Sequence, residues 1–174
     1  ELSRLCHQYG ALLLVDNAHG AYLHFLPQPR HPLDLGADLC CDSAHKTLPA
    51  LTGAAYLHLA KTVPDYLKAM SKEAMALFGS TSPSYLILQS LDLMNPWLEA
   101  LSGRLQAFLP QVEAAKKRIA QMGWTFAGSE PLKWTLCPKS MGYTGETLGG
   151  LLEEQRIYYE LADPDYLVLM LSPE

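Results

Sequence analysis

Three short apolar runs in the first third of the chain constrain its fold most strongly. They are Ala11–Val15, Ala37–Cys41 and Gly53–Leu59, and each has the length of a strand rather than of a helix. Short continuous apolar runs are typical of strands whose two faces are both covered. The pattern therefore predicts an α/β domain. It places Asp16 and the residues after Cys41 at strand ends, where open α/β sheets bind ligands.

A long helix and a change of pattern predict a second domain. Apolar residues spaced by three and four predict a helix over 96–123, with a kink at Pro110 and an end at Gly123. Beyond it, short strands and one helix predict a small α+β unit. We therefore expect a large α/β domain at 1–95, a connecting helix at 96–123 and a truncated small α+β domain at 124–174.

Neither end of the sequence has the character of a natural terminus. Glu1 falls within a predicted amphipathic helix, and Glu174 follows the apolar run 166–171 directly. We expect the 174 residues to be an interior and C-terminal part of a longer chain.

Charge and cysteine usage narrow the class of partner. The net charge of −5 and the lack of a basic block argue against nucleic acid and anionic membranes as partners. No apolar run approaches the roughly 20 residues of a membrane span. The four cysteines lack metal-ligand spacing, which predicts no metal site and reduced thiols in a cytoplasmic protein.

Lys46 is the residue most suggestive of covalent chemistry. It follows a predicted buried strand closely, and a lysine there can form a Schiff base with an aldehyde cofactor. Asp16, at another strand end, could pair with the protonated nitrogen of a pyridine ring and keep that ring electron-withdrawing. A solvated surface lysine and a turn-forming aspartate are the ordinary alternatives.

Several segments together resemble one enzyme family. They are DNAHGA, GADLCCDSAHKTLPALTGAAYLH, STSPSYLILQSLD, LKWTLCPKSMGYTGETL and LADPDYLVLMLSPE. This text is similar to the Orn/Lys/Arg decarboxylases, which use pyridoxal 5′-phosphate (PLP) and share the aspartate-aminotransferase-like fold, PLP fold type I. The resemblance implies that 1–95 is the C-terminal part of the PLP-binding large domain, and that a basic amino acid loses carbon dioxide.

The resemblance also implies a role for each matching residue. Lys46 would be the Schiff-base lysine, Asp16 would hold the pyridine nitrogen, and Ala18 would pack on the ring. The remaining positions would be His19 near the ring hydroxyl, Ser43 and His45 at the phosphate, and Thr81 and Ser82 at the phosphate of a neighbouring subunit. The last pair implies a homodimer or a higher homo-oligomer.

The sequence departs from the family pattern at a few positions. Asn17 stands where glutamate is expected, and Cys41 and Asp42 replace small or polar residues before Ser43. The first phosphate-binding turn and the side chain that stacks over the ring have no counterpart in these residues. We therefore expect this stretch alone to bind PLP weakly and to be inactive.

Rival functions remain open at this point. An aminotransferase or another PLP lyase would use the same aspartate and lysine. A metal hydrolase could recruit Asp16, His19, His24, His31 and His45, although their spacing matches no zinc pattern. A Ser43–His45 hydrolase lacks the glycines of a nucleophile elbow. A non-catalytic dimerising fragment is the last rival.

Glu130 and Glu160 are candidates by charge alone for recognising the substrate's distal amine or guanidinium.

Overall fold

The computed structural model describes residues 1–173, which form two compact units divided between Ser102 and Gly103. The chain is a mixed α/β protein, as predicted. The finer expectation of an aspartate-aminotransferase-like topology stays a prediction.

The first unit is built on a three-stranded sheet. In chain order its elements are α1 (Leu2–Gln8), β1 (Leu14–Asp16), β2 (Leu39–Asp42), α2 (Ala44–Thr47), β3 (Tyr56–Leu59), α3 (Asp65–Phe78) and the start of α4 (Tyr85–Gln121). The sheet order is β1-β2-β3, with β1 parallel to β2 and β3 antiparallel to β2. All three predicted strands are present.

The expected burial of β1 is wrong. Leu14 is 64% exposed, and Asp16 is exposed as well. The physical reason is the sheet order: β1 lies at the edge, and within residues 1–173 no strand pairs with its outer side. The centre of the sheet is better covered, since Cys40 on β2 is 1% exposed.

The long helix joins two helices that the sequence predicts separately. Ser82 and Pro83 predict one start and Asn95 and Pro96 predict another, but α4 runs unbroken over Tyr85–Gln121, through both Pro96 and Pro110. Each proline removes one backbone hydrogen bond, which costs about 3 kcal/mol. Burial of Met94 and Leu101 on either side of Pro96, at 2% and 1% exposure, offsets that loss.

The second unit contains a four-stranded antiparallel sheet. Its further elements are β4 (Phe126–Ala127), β5 (Lys133–Leu136), α5 (Gly145–Glu154), β6 (Leu161–Ala162) and β7 (Leu167–Met170), and the sheet order is β4-β5-β7-β6. Trp134, Leu136 and Leu167 are buried. The sequence predicts a strand over Ile157–Leu161, but β6 begins only at Leu161, and the preceding residues follow a turn at Gln155–Arg156.

The helices were compared with the requirements of a membrane-spanning segment. In the described part of the chain, none combines the length and the apolar composition that crossing a bilayer requires.

Candidate active site

Two of the residues predicted to bind the cofactor lie at the carboxyl ends of neighbouring strands of the first sheet. Asp16 is the last residue of β1 and is in register with Cys41 on the parallel strand β2. The amide of Asn17 donates to the Cys41 carbonyl at 2.8 Å and extends this pairing by one step. Ser43 directly follows β2. Asp16 and Ser43 therefore lie at the carboxyl ends of neighbouring parallel strands, where open α/β sheets bind ligands.

Lys46 lies on the one-turn helix that follows. Ser43 occupies the N-cap position of α2, and the Lys46 amide donates to the Ser43 carbonyl at 3.1 Å. The Lys46 side chain is exposed. The sequence over 42–52 lacks a helical or strand pattern and predicts irregular backbone, but the helical turn Ala44–Thr47 fixes Lys46 three residues after Ser43.

The imidazole of His45 has a fixed orientation. Its Nδ1 donates to the Ala54 carbonyl at 2.9 Å, and its backbone amide reaches the same oxygen at 3.3 Å. A neutral ring with the proton on Nδ1 can only accept at Nε2. His45 can therefore donate to a phosphate through Nε2 only as an imidazolium.

Ala18 and His19 occupy a tight turn beyond β1. The Gly20 amide closes the turn by donating to the Asn17 carbonyl at 2.9 Å. Ala18 and His19 are half-buried, while Gly20 is buried. A Cβ added at Gly20 would lie 2.1 Å from Asn17 Oδ1, so only glycine fits against this side chain.

Thr81 and Ser82 lie apart from these elements in the sequence, on the segment that joins α3 to α4. Both are exposed, and the Ser82 amide donates to Ser80 Oγ at 3.0 Å. Their assignment to a neighbouring subunit stays a prediction. In the second unit, Glu130 pairs with Lys133 at 3.6 Å.

Asp42 is a central residue that the sequence did not single out. Its Oδ2 accepts from Nε2 of His31 and from Nε2 of His58, both at 3.0 Å. Its Oδ1 accepts from Asn17 Nδ2 at 2.8 Å. The side chain is 2% exposed. The departures at Asn17 and Asp42 are therefore linked, because the two side chains are bonded to each other.

The environment of Asp42 determines its charge. Burial alone would raise the pKa of Asp42, but the hydrogen bonds from His31, His58 and Asn17 outweigh it and hold the pKa below its ordinary range. The neighbouring Cys40 behaves in the opposite way. Burial and the negative charge of Asp42 raise the pKa of the Cys40 thiol to about 12.

The histidines of the hydrolase hypothesis do not converge. His24 pairs with Asp34 at 2.9 Å, His31 with Asp42, and His45 with the Ala54 backbone. In the portion described by the structure, one group of possible metal ligands does lie close together, and it is a different one: His31, Cys40 and Asp42.

Comparison with known proteins identifies several similar sequences. Residues 1–136 match the family described as Orn/Lys/Arg decarboxylase, major domain. An uncharacterized protein of Bacillus subtilis (strain 168), YaaO, is 35% identical to the chain, covering 98% of the chain and 38% of that protein. An arginine decarboxylase of the same organism is 30% identical over 97% of the chain and 37% of its own length. An arginine decarboxylase of Bacillus anthracis is 29% identical, with 94% and 36% covered.

These matches also give the extent of the similarity. The chain spans between 36% and 38% of the length of the three relatives. The family match ends at residue 136, within β5, so it covers the first unit and part of the second.

Proposed function

The chain belongs to the Orn/Lys/Arg decarboxylase family. On that premise we propose that it supplies the Schiff-base lysine, Lys46, and neighbouring cofactor-binding residues of a PLP-dependent amino-acid decarboxylase site. The observation that supports this most directly is that Asp16 ends β1 and Ser43 follows the parallel strand β2, with Lys46 on the helical turn after Ser43. The reaction would release carbon dioxide from a basic amino acid and leave the corresponding amine.

The residues present fit PLP by their chemistry. Ser43 offers a hydroxyl and His45, when protonated, an N–H to a phosphate. Asp16 offers a carboxylate to a pyridine nitrogen, and Ala18 offers a flat apolar surface to a ring. His19 would lie by the ring hydroxyl, and Thr81 and Ser82 would serve the phosphate of a second subunit. When bound, PLP supplies an electron sink for the pair released as the carboxylate leaves.

The protein's own contribution would be charge and position. A carboxylate at Asp16 stabilises a positive charge on the pyridine nitrogen, which strengthens the ring as an electron acceptor. The register of β1 on β2 holds Asp16 in place. Lys46 Nζ would attach the cofactor and, once released from it, carry a proton to the reacting carbon.

Arginine is the first substrate to test. Two of the similar proteins are named arginine decarboxylase, and their identity to this chain is close to 30%. Ornithine and lysine share the basic side chain and complete the substrate class. We further propose a homodimer or higher homo-oligomer, because Thr81 and Ser82 would act at a neighbouring subunit. The free cysteines favour a cytoplasmic location.

A labelling experiment tests the proposal. After incubation of the full-length protein with PLP, borohydride reduction should fix the cofactor on the peptide that contains Lys46. Lys46→Ala should abolish the label and the carbon dioxide released from arginine. Lys61→Ala is the matched control and should keep both, since Lys61 is exposed after β3. Label on Lys61, or formation of a keto acid in place of carbon dioxide, would refute the proposal.

A further inference from the structure

One face of the first sheet carries a cluster of metal-ligand side chains. Cys40 and Asp42 alternate along β2 and therefore point to the same face. On the antiparallel neighbour β3, His58 is in register with Cys40. His31 reaches this face from the segment between β1 and β2. The antiparallel pairing thus unites residues that are far apart in the sequence.

The ligand atoms of His31, Cys40 and Asp42 lie within 4.8 Å of one another, as those of a metal site must. Asp42 Oδ2 lies 3.0 Å from Nε2 of His31 and 3.0 Å from Nε2 of His58. Cys40 Sγ lies 3.7 Å from His31 Nε2 and 3.6 Å from Asp42 Oδ1. Tetrahedral zinc places nitrogen and oxygen ligands about 3.3 Å apart, and sulfur about 3.6 Å from either. His31, Cys40 and Asp42 therefore need little movement to receive an ion, and His58 has to turn further toward them.

We propose that His31, Cys40 and Asp42 bind a zinc-class divalent cation, with His58 as the fourth ligand. Thiolate, imidazole and carboxylate together are donors that zinc accepts, whereas magnesium and calcium take oxygen ligands. His31, Cys40 and Asp42 are buried, as structural zinc ligands are. This site uses none of the residues assigned to PLP.

Binding of the metal ion releases one proton in total. The Cys40 thiol loses its proton to solvent when the Zn–S bond forms. His31 and His58 each bind through Nε2, and the proton each carries there moves to Nδ1. For His31 this sacrifices the bond that Nδ1 accepts from the Leu33 amide, which at 3.3 Å is long and weak. Asp42 is already a carboxylate.

The surroundings provide an entry route and an outer shell. A groove of about 650 Å³ opens beside the cluster and is lined in part by His31, Asp42 and His58. The His58 side chain is 37% exposed, so the ion can enter past it. Asn17 donates to Asp42 Oδ1 at 2.8 Å, which leaves Oδ2 to face the two imidazoles.

Metal content and X-ray absorption test the site without any activity assay. After dialysis against zinc and then against buffer, the purified protein should retain one equivalent by elemental analysis. The absorption spectrum should show one sulfur ligand at about 2.3 Å and nitrogen or oxygen ligands at about 2.0–2.1 Å. Absence of retained zinc, or a shell without sulfur, would overturn the proposal.

Matched variants locate the bound ion. Cys40→Ser should weaken zinc binding more than about 100-fold, because removing even an outer-shell partner costs about 10–100-fold. Cys41→Ser is the control and should bind zinc as before, since its side chain points to the opposite face of β2. Equal affinity in Cys40→Ser, or a loss in Cys41→Ser instead, would place the metal elsewhere. If Cys40→Ser does not fold, the X-ray absorption spectrum of the unmodified protein still tests whether a sulfur atom binds the zinc ion.

Discussion

At the residue scale, Asp16 is the clearest test of the proposed charge pairing. Asp16→Asn keeps the size of the side chain and removes its charge, so β1 should still pair with β2. Loss of one charge pairing that matters in the transition state costs roughly 3–5 kcal/mol, which is a fall in kcat of about a hundredfold or more. Steady-state kinetics of carbon dioxide release by the full-length protein would measure it.

A suitable control for that experiment is Asp65→Asn. Asp65 is the first residue of α3, and its side chain is 97% exposed. Its loss should leave turnover unchanged. Turnover near normal in Asp16→Asn would show that Asp16 does not hold the pyridine nitrogen.

Asp42 should make the folded state sensitive to acid. Its pKa is lowered by folding, because three hydrogen bonds outweigh burial. The stability it contributes is therefore complete above the unfolded pKa of about 3.9 and is lost as pH falls toward the lower pKa of the folded state. Asp42→Asn should remove this part of the pH dependence and lower the free energy of unfolding at neutral pH by roughly 2 kcal/mol.

Denaturant unfolding at several pH values would measure the effect. Asp34→Asn is the matched control, because Asp34 also pairs with a histidine, but His24 is 60% exposed. An exposed pair contributes roughly 0–1 kcal/mol. If Asp42→Asn and Asp34→Asn have the same small effect, the buried cluster does not contribute as described.

At the element scale, the start of α5 depends on one side chain. Thr144 Oγ1 accepts from the Thr147 amide at 3.1 Å and caps the helix. Thr144→Ala should reduce the free energy of unfolding by about 1 kcal/mol. Thr144→Ser retains the hydroxyl and should restore most of it. Thermal unfolding of the three proteins would compare them, and equal stability of the alanine and serine variants would exclude a capping role.

The elements were predictable where local pattern decides them. The run Ala37–Cys41 anticipated β2, and helical spacing anticipated α5. The continuity of α4 through Pro96 was missed because Pro96 is a local signal for a helix boundary, whereas burial of Met94 and Leu101 is a consequence of tertiary packing. The exposure of β1 was missed for the same kind of reason, since edge position depends on strand order.

The residues of the candidate site were also predictable only where local sequence determines their position. Asp16, Ser43 and Lys46 follow strand ends, so sequence position alone could select them. The cluster around Asp42 could not be selected in that way, because His58 reaches it through the antiparallel register of β3 on β2. The period-two alternation of Cys40 and Asp42 was the one sequence signal that these side chains share a face.

At the scale of the whole molecule, exposed apolar side chains predict self-association. They cluster from the end of α3 to the start of α4, where Phe78 is 85% exposed and Tyr85 is 86% exposed. Surfaces of this kind are commonly covered by a partner. The 174-residue chain should therefore form dimers or larger species, and its sedimentation coefficient should rise with concentration.

A charged substitution would show whether this surface is responsible. Phe78→Glu should shift the population toward monomer. Glu113→Lys is a control that also changes charge, at an exposed position on α4. A single monomeric species of the unmodified chain at all concentrations would contradict the expectation.

The turn at Gly20 limits how this protein can diverge. Any side chain at position 20 meets Asn17, and Asn17 cannot swing aside while Asp42 holds its amide. Positions 17, 20 and 42 should therefore change together rather than one at a time. A homologue with a larger residue at position 20 would first need a shorter side chain at position 17. Asp42 would then lose the hydrogen bond that it accepts from Asn17. Homologues should show these three positions covarying, with Asn17 and Asp42 inherited as a pair.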